Sequence, residues 1–241
     1  MLLFENKIMK LPKTFFILLI LLVSLKICFG QEKPKAELID NFTQSPCDET
    51  MARVDNFTTI LRNEPESKGL VISFGLKDKN LRNLRYEQFF KDAVKGRIRY
   101  QFDVKRVTFI RGANEEKLRV QLWKIPANAD LPAYETGNWS YSLADQKKPF
   151  IYYARAWFDD ICPPTTDSEL YSKLLLANPN FRGHLLIYTE STKKFRKVRN
   201  DLSKEIINTY KVPRTQLKFF YVKSKRENFN IEHWLVPRKS K

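Results

Sequence analysis

The chain has 241 residues, 43% of them hydrophobic and 13% aromatic, and 43 Lys and Arg against 27 Asp and Glu give it a formal net charge of +16. That apolar content excludes a disordered chain, and the length suits one large domain or two small ones. The cationic surplus favours polyanionic neighbours.

The first thirty residues read as a secretory leader. Lys7, Lys10 and Lys13 form a basic start, and Phe15 to Leu25 supply an apolar run broken only by Ser24. The run is shorter than the roughly twenty residues that span a bilayer, and its charge order is that of a cleaved signal, with the cut expected near Gly30. Cys28 follows Lys26 and Ile27, where a lipoprotein signal has a small residue. Removing residues 1–30 takes away four lysines and one glutamate and leaves a net charge of about +13. No later stretch has the length and apolarity of a transmembrane helix, so the expected product is exported and not membrane-spanning. Export also separates the protein from nucleic acid.

After the leader, a short strand is expected over 36–42. Asp48 to Asn63 places Met51, Val54, Phe57, Ile60 and Leu61 on one helical face, with Asp48 as a candidate N-cap and Pro65 as the stop. Gly69 to Gly75 is a short Val- and Ile-rich run and reads as a buried strand. A second helix follows over about 82–100, then strands over 107–110 and 118–125. Gly112-Ala113-Asn114 between those two strands suits a hairpin turn. Residues 127–148, with Pro132, Gly137 and many polar residues, read as a linker.

The same order recurs beyond the linker: a strand near 149–157, a helix over 166–177, a strand over 184–189, a helix over 195–210, and strands over 216–223 and 229–236. The repeat is visible in the residues themselves. ILRNEPESKGLVISFG (60–75) parallels LLLANPNFRGHLLIYTES (174–191), aligning Pro65 with Pro179 and Gly69 with Gly183. RVTFIRGANEEKLRVQLWKIP (106–126) parallels QLKFFYVKSKRENFNIEHWLVP (216–237), aligning Trp123 with Trp234 and Pro126 with Pro237. Cys47 and Cys162 stand five residues after Phe42 and Trp157, just before the first helix of each copy. Internal periodicity of this kind sets the architecture. The expectation is an α/β (α+β) chain of two tandem β-α-β-α-β-β modules, 31–126 and 149–241. In each, a small mixed sheet carries two helices on one face, joined by a right-handed crossover.

This order resembles the OmpA-like peptidoglycan-associating domain, and residues 195–217, FRKVRNDLSKEIINTYKVPRTQL, carry the resemblance best. Arg199 lies fourteen residues before Pro213, where the family has its wall-binding arginine, and Lys211-Val212-Pro213 replaces a glycine-containing turn. VISFGLKD (71–78) is similar to the family's strand ending before its ligand-binding aspartate, which places Asp78 in that role and Arg85 as the partner arginine. Copy two has Glu190-Ser191-Thr192 where the aspartate belongs. In pattern the chain is closest to a diverged OmpA-like group in exported acidobacterial proteins. The resemblance implies a non-catalytic envelope protein binding peptidoglycan through Asp78, Arg85 and Arg199. An aspartate and an arginine at one cleft mouth can hold the amine and carboxylate of a diamino acid.

Other chemistry finds little support. His184 and His233 both fall in expected strands, no His-x-x-x-His or Cys-x-x-Cys spacing suggests a metal, and no Gly-x-Ser-x-Gly elbow or phosphate loop occurs. No cofactor, metal or enzymatic activity is therefore expected. Cys47 and Cys162 could pair and staple the modules, or remain two separate thiols; oxidising compartments permit the bond. Lys193, Lys194, Arg196, Lys197 and Arg199, with Lys223, Lys225 and Arg226, give the second copy a basic face. The expected ligand is peptidoglycan or another anionic envelope polymer; an envelope protein is the alternative partner, in which case the chain is a structural or interaction module that has lost wall binding.

Overall fold

A computed structural model describes residues 33–155, 168–225 and 229–238. The expected leader over 1–30, Cys28 and Cys162 lie outside those residues. The chain forms two four-stranded mixed sheets, each with a pair of helices. In the first unit β1 (Glu37–Thr43), α1 (Cys47–Asn63), β2 (Lys68–Leu76), α2 (Asn80–Lys95), β3 (Val107–Glu115) and β4 (Arg119–Ile125) follow one another. The second unit has β5 (Phe150–Arg155), α3 (Ser168–Ala177), β6 (Phe181–Thr189), α4 (Thr192–Ser203), β7 (Leu217–Lys223) and β8 (Asn230–Pro237). Strand order is β1-β4-β2-β3 in one sheet and β5-β8-β6-β7 in the other. In both, the central strand is parallel to one neighbour and antiparallel to the other.

The correspondence extends to single residues. Gly69 sits opposite Val107 and Lys124, and Gly183 sits opposite Leu217 and Leu235. Leu70 pairs with Trp123, and His184 with Trp234. Neither glycine takes a left-handed backbone conformation. Each lets a helix approach: a Cβ on Gly69 would lie 2.6 Å from Leu61 Cδ1 and 2.8 Å from Phe57 Cζ, and one on Gly183 would lie 2.5 Å from the Tyr171 hydroxyl and 2.9 Å from Leu175 Cδ1. Phe57 and Leu61 stand 114 residues before Tyr171 and Leu175, the same offset that separates the glycines.

A second matched device closes each first helix. The Arg106 guanidinium donates to the carbonyls of Leu61, Glu64 and Ser67. The Gln216 side-chain amide donates to those of Leu175, Asn178 and Phe181. These are the same three positions in both units, and they include carbonyls left without helical partners at a C-terminus. After each second helix a non-glycine residue turns left-handed, Gln101 at φ 61° and Lys211 at φ 63°. Phe102 and Val212 then drop into the cores.

Four local expectations need correction. The helix expected to begin at Asp48 starts at Cys47, with Asp48 in its first turn beside the positive end of the helix dipole. The expected β3–β4 hairpin is absent, because β2 lies between those strands. Gly112-Ala113-Asn114 belongs to β3, and Gly112 is small because a Cβ there would lie 2.6 Å from the Phe74 ring. Residues 116–118 cross the end of β2. The helix expected over 195–210 is α4 followed by a widened π turn, Lys204–Thr209. The one expected over 82–100 is α2 followed by a 3-10 turn, Gly96–Tyr100.

Helix α2 serves both units. Phe90, Ala93 and Val94 enter the first core with Val54, Phe57, Val71 and Val120. Leu84 is buried with Tyr152, Leu170, Leu174 and Leu185 of the second unit, and Leu81 packs against the same cluster. Segment 126–149 is held along its length. Trp139 and Leu143 are buried in the second core, Arg111 donates to the Trp139 carbonyl and the Tyr141 hydroxyl, and Asn178 bonds both the Tyr141 carbonyl and the Leu143 N–H. Lys95 on α2 pairs with Glu169 on α3, which also holds Lys173.

Candidate functional site

The site expected at Asp78 begins where β2 ends. Asn83, fully buried, accepts from the Leu76 N–H and donates to the Leu76 carbonyl, both at 2.8 Å. A side-chain amide thus satisfies the backbone of the last strand residue and fixes the exit of the chain. Asp78 follows at φ 55°, a left-handed conformation that aspartate tolerates better than most residues. Helix α2 then starts without a side-chain cap or an acidic residue in its first turn.

Around this turn lies a cavity of ≈ 800 Å³. Asp78, Lys79, Arg82 and Arg85 supply charge, Tyr86 and Phe89 supply aromatic wall, and Ser142, Leu143, Asp145 and Gln146 of the connecting segment close the far side. Asp78 and Arg85 are both exposed and both line it. The Arg85 guanidinium lies 5.5 Å from the Tyr152 ring centroid of β5, and Arg82 donates to the Gln44 side chain at 2.9 Å. Cations outnumber carboxylates, with Asp145 the second acid.

Tyr86 was not singled out by the sequence. Its ring meets Phe90 edge-on at 5.1 Å, and burial pushes its phenol up to about 12, so it stays protonated and able to donate. Its hydroxyl is withdrawn from solvent and has no hydrogen-bond partner. An orphaned buried donor of that kind is uncommon and costly. Tyr86 thus gives the cavity its ring, while its hydroxyl lies below the accessible surface.

Arg199 is elsewhere. The 114-residue offset makes it the counterpart of Arg85, but it lies exposed on α4, 5.9 Å from the Phe195 ring and bonded to Asn200. It lines a separate cavity of ≈ 640 Å³ with Lys204, Asn208 and Arg214. Among the described residues no acidic one lines that cavity. Ser191, in the stretch that replaces the aspartate, caps α4 by accepting from the Lys194 N–H. The structure therefore brings Asp78 and Arg85 to one cavity and keeps Arg199 at another.

Cys47 is disulfide-bonded. The chain's other two cysteines, Cys28 and Cys162, fall outside the described residues, and so does the proposed Cys47–Cys162 pairing. His233 is buried, and burial lowers it to about 4. His184 is lowered by burial and by Lys218 and Arg182. Among the described residues no group of three or more His, Cys, Asp or Glu is placed to hold a metal ion, and no helix is long and apolar enough to cross a membrane. Comparison with protein-family models, with curated proteins and with solved structures returns no match.

Proposed function

We propose that this chain is an exported, non-catalytic binding protein of the cell envelope, and that the cavity beside Asp78 takes a zwitterionic group of peptidoglycan. The observation that carries the reading is the convergence of Asp78 and Arg85 on one cavity. A carboxylate can hold an ammonium, and a guanidinium can grip a carboxylate bidentately. Export rests on the leader-like first thirty residues, and the high positive charge assists approach to an anionic wall polymer.

The test is co-sedimentation with purified peptidoglycan. Intact protein pellets with the wall, and Asp78→Ala and Arg85→Ala each weaken binding by roughly tenfold or more, the scale of a lost charge-assisted contact. Arg199→Ala leaves it near wild type. Absence of wall binding, or binding indifferent to both first-unit substitutions, rejects the reading. The lack of a carboxylate among the described residues lining the Arg199 cavity favours a second reading, in which the fold persists as an interaction module without the wall ligand.

A further inference from the structure

The two sheets share strand order, yet among the described residues only the first has both faces covered. Leu70, Ile72, Phe74 and Ile125 form a cluster on the face away from α1 and α2, and Ala129 and Tyr134 pack over it. The same segment then turns along the outer edge of β3. There Gly112 and Thr136 form an antiparallel bridge, the Ala113 N–H donates to the Glu135 carbonyl at 2.9 Å, and the Gly137 N–H donates to the Arg111 carbonyl at 2.9 Å. Residues 126–137 are thus both a cover for the sheet and a short added strand.

On the second sheet the matching positions are His184, Leu186, Tyr188 and Val236, with Phe220 for Ile110 and Trp234 for Trp123. Burial alternates strictly along β6, where the helix side is buried and these positions are not. Phe220 is 40% exposed and Ile151, beside Trp234, 43%. Strand β7 is the outermost strand of its sheet. On this same face Arg182 Nε, His184 Nε2 and Asn230 Oδ1 are withdrawn from water without a hydrogen-bond partner. An open edge beside a half-apolar face is a ready template for another strand.

We propose that the open face and β7 edge of the second unit dock an extended acidic segment of a partner protein. The segment pairs with β7 and lays an aromatic side chain over Leu186, Phe220 and Trp234, as residues 126–137 do within the first unit. The acidic character follows from charge. Lys218 and Lys223 lie on β7 and Arg182 on β6, while Glu232 is already engaged by the Trp234 indole N–H at 2.8 Å. The intramolecular cover of the first sheet carries Asp130 and Glu135 and no cation. A second copy of a chain with net charge +16 is the wrong sign for this surface.

The probe is a synthetic peptide of residues 126–137, titrated into the whole chain and followed by amide NMR. Saturable shifts are expected in β6 and β7. Phe220→Glu abolishes them, and the double change Lys218→Glu with Lys223→Glu weakens binding on the order of tenfold, about the combined scale of two exposed ion pairs. If Phe220→Glu fails to fold, the double charge reversal, confined to exposed lysines, carries the same decision. A peptide with Asp130→Lys and Glu135→Lys binds more weakly for the same reason. No saturable shift in β7, or shifts that survive both variants, overturns the proposal. So does concentration-dependent self-association that Phe220→Glu removes, since a second copy would then be the occupant. The surface shares no residue with the cavity at Asp78, so failure here leaves the wall-binding reading standing.

Discussion

Arg106 and Gln216 differ in charge, length and number of donors, yet each closes the same three carbonyls of its unit. Equivalence of this sort is invisible in sequence because what is kept is the acceptor geometry. Gln216→Ala is expected to destabilise the protein by about 1–3 kcal/mol, since it strips a buried donor from polar atoms that water does not reach; chemical denaturation measures it. Asp92 illustrates electrostatics at the same scale. Burial raises its carboxyl from 3.8 to about 6, against the lowering effects of the Gln88 hydrogen bond and of Lys95 and Lys173, with Glu169 adding to the rise. A raised carboxyl favours the fold while protonated, so its contribution is present below 3.8 and is lost as pH rises through about 6. Asp92→Asn removes that loss and should leave the protein about 1–2 kcal/mol more stable than wild type at neutral pH, a figure discounted for solvent screening. Urea denaturation of both proteins across this window checks it; a difference that does not grow with pH rejects the assignment. Glu169 works in the opposite sense. Burial opposes its ionisation, but hydrogen bonds from Lys173 and Lys95 outweigh that and hold it at about 2, so its contribution is present above 4.5 and lost as pH falls through about 2.

Among whole elements, the helices and strands were legible because hydrophobic period and local punctuation agree. Val54, Phe57 and Leu61 recur on one face of α1 and are fully buried. Gly69 and Gly183 marked the strand starts, but their reason is helix approach and not turn conformation. Gly69→Ala is therefore expected to cost about 1–3 kcal/mol by overpacking against Leu61 and Phe57; a thermal melt showing no loss would mean that α1 moves aside freely. The β3–β4 connection was misread because Gly-Ala-Asn chemistry fits a turn equally well, and nothing local says that β2 will lie between the strands. At the site, Asp78 and Arg85 were legible only through family resemblance. Tyr86 was not, because an orphaned hydroxyl is a property of packing, and Ser142, Asp145 and Gln146 acquire meaning only once Trp139 and Leu143 anchor their segment.

At the scale of the molecule, the repeat in the sequence corresponds to two sheets of identical strand order. Their asymmetry was not legible, since it depends on which face segment 126–137 chooses to cover. Leu84 tests how the units are joined. It belongs to α2 of the first unit but is buried among residues of the second. Leu84→Ala should cost about 2–5 kcal/mol, and hydrogen exchange should quicken in β6 as well as in α2. Acceleration confined to α2 would show that the second core is complete without it.

The shared helix also sets a direction of assembly. The first core draws on residues only as far as Leu122, all before Phe150, so in N-to-C emergence of the chain the first unit can form its core before the second is complete. The surface of α2 that bears Leu81 and Leu84 is then a waiting template, apolar and temporarily uncovered. The second unit condenses onto a wall already built, and the last part of the chain inherits its hydrophobic floor from the first.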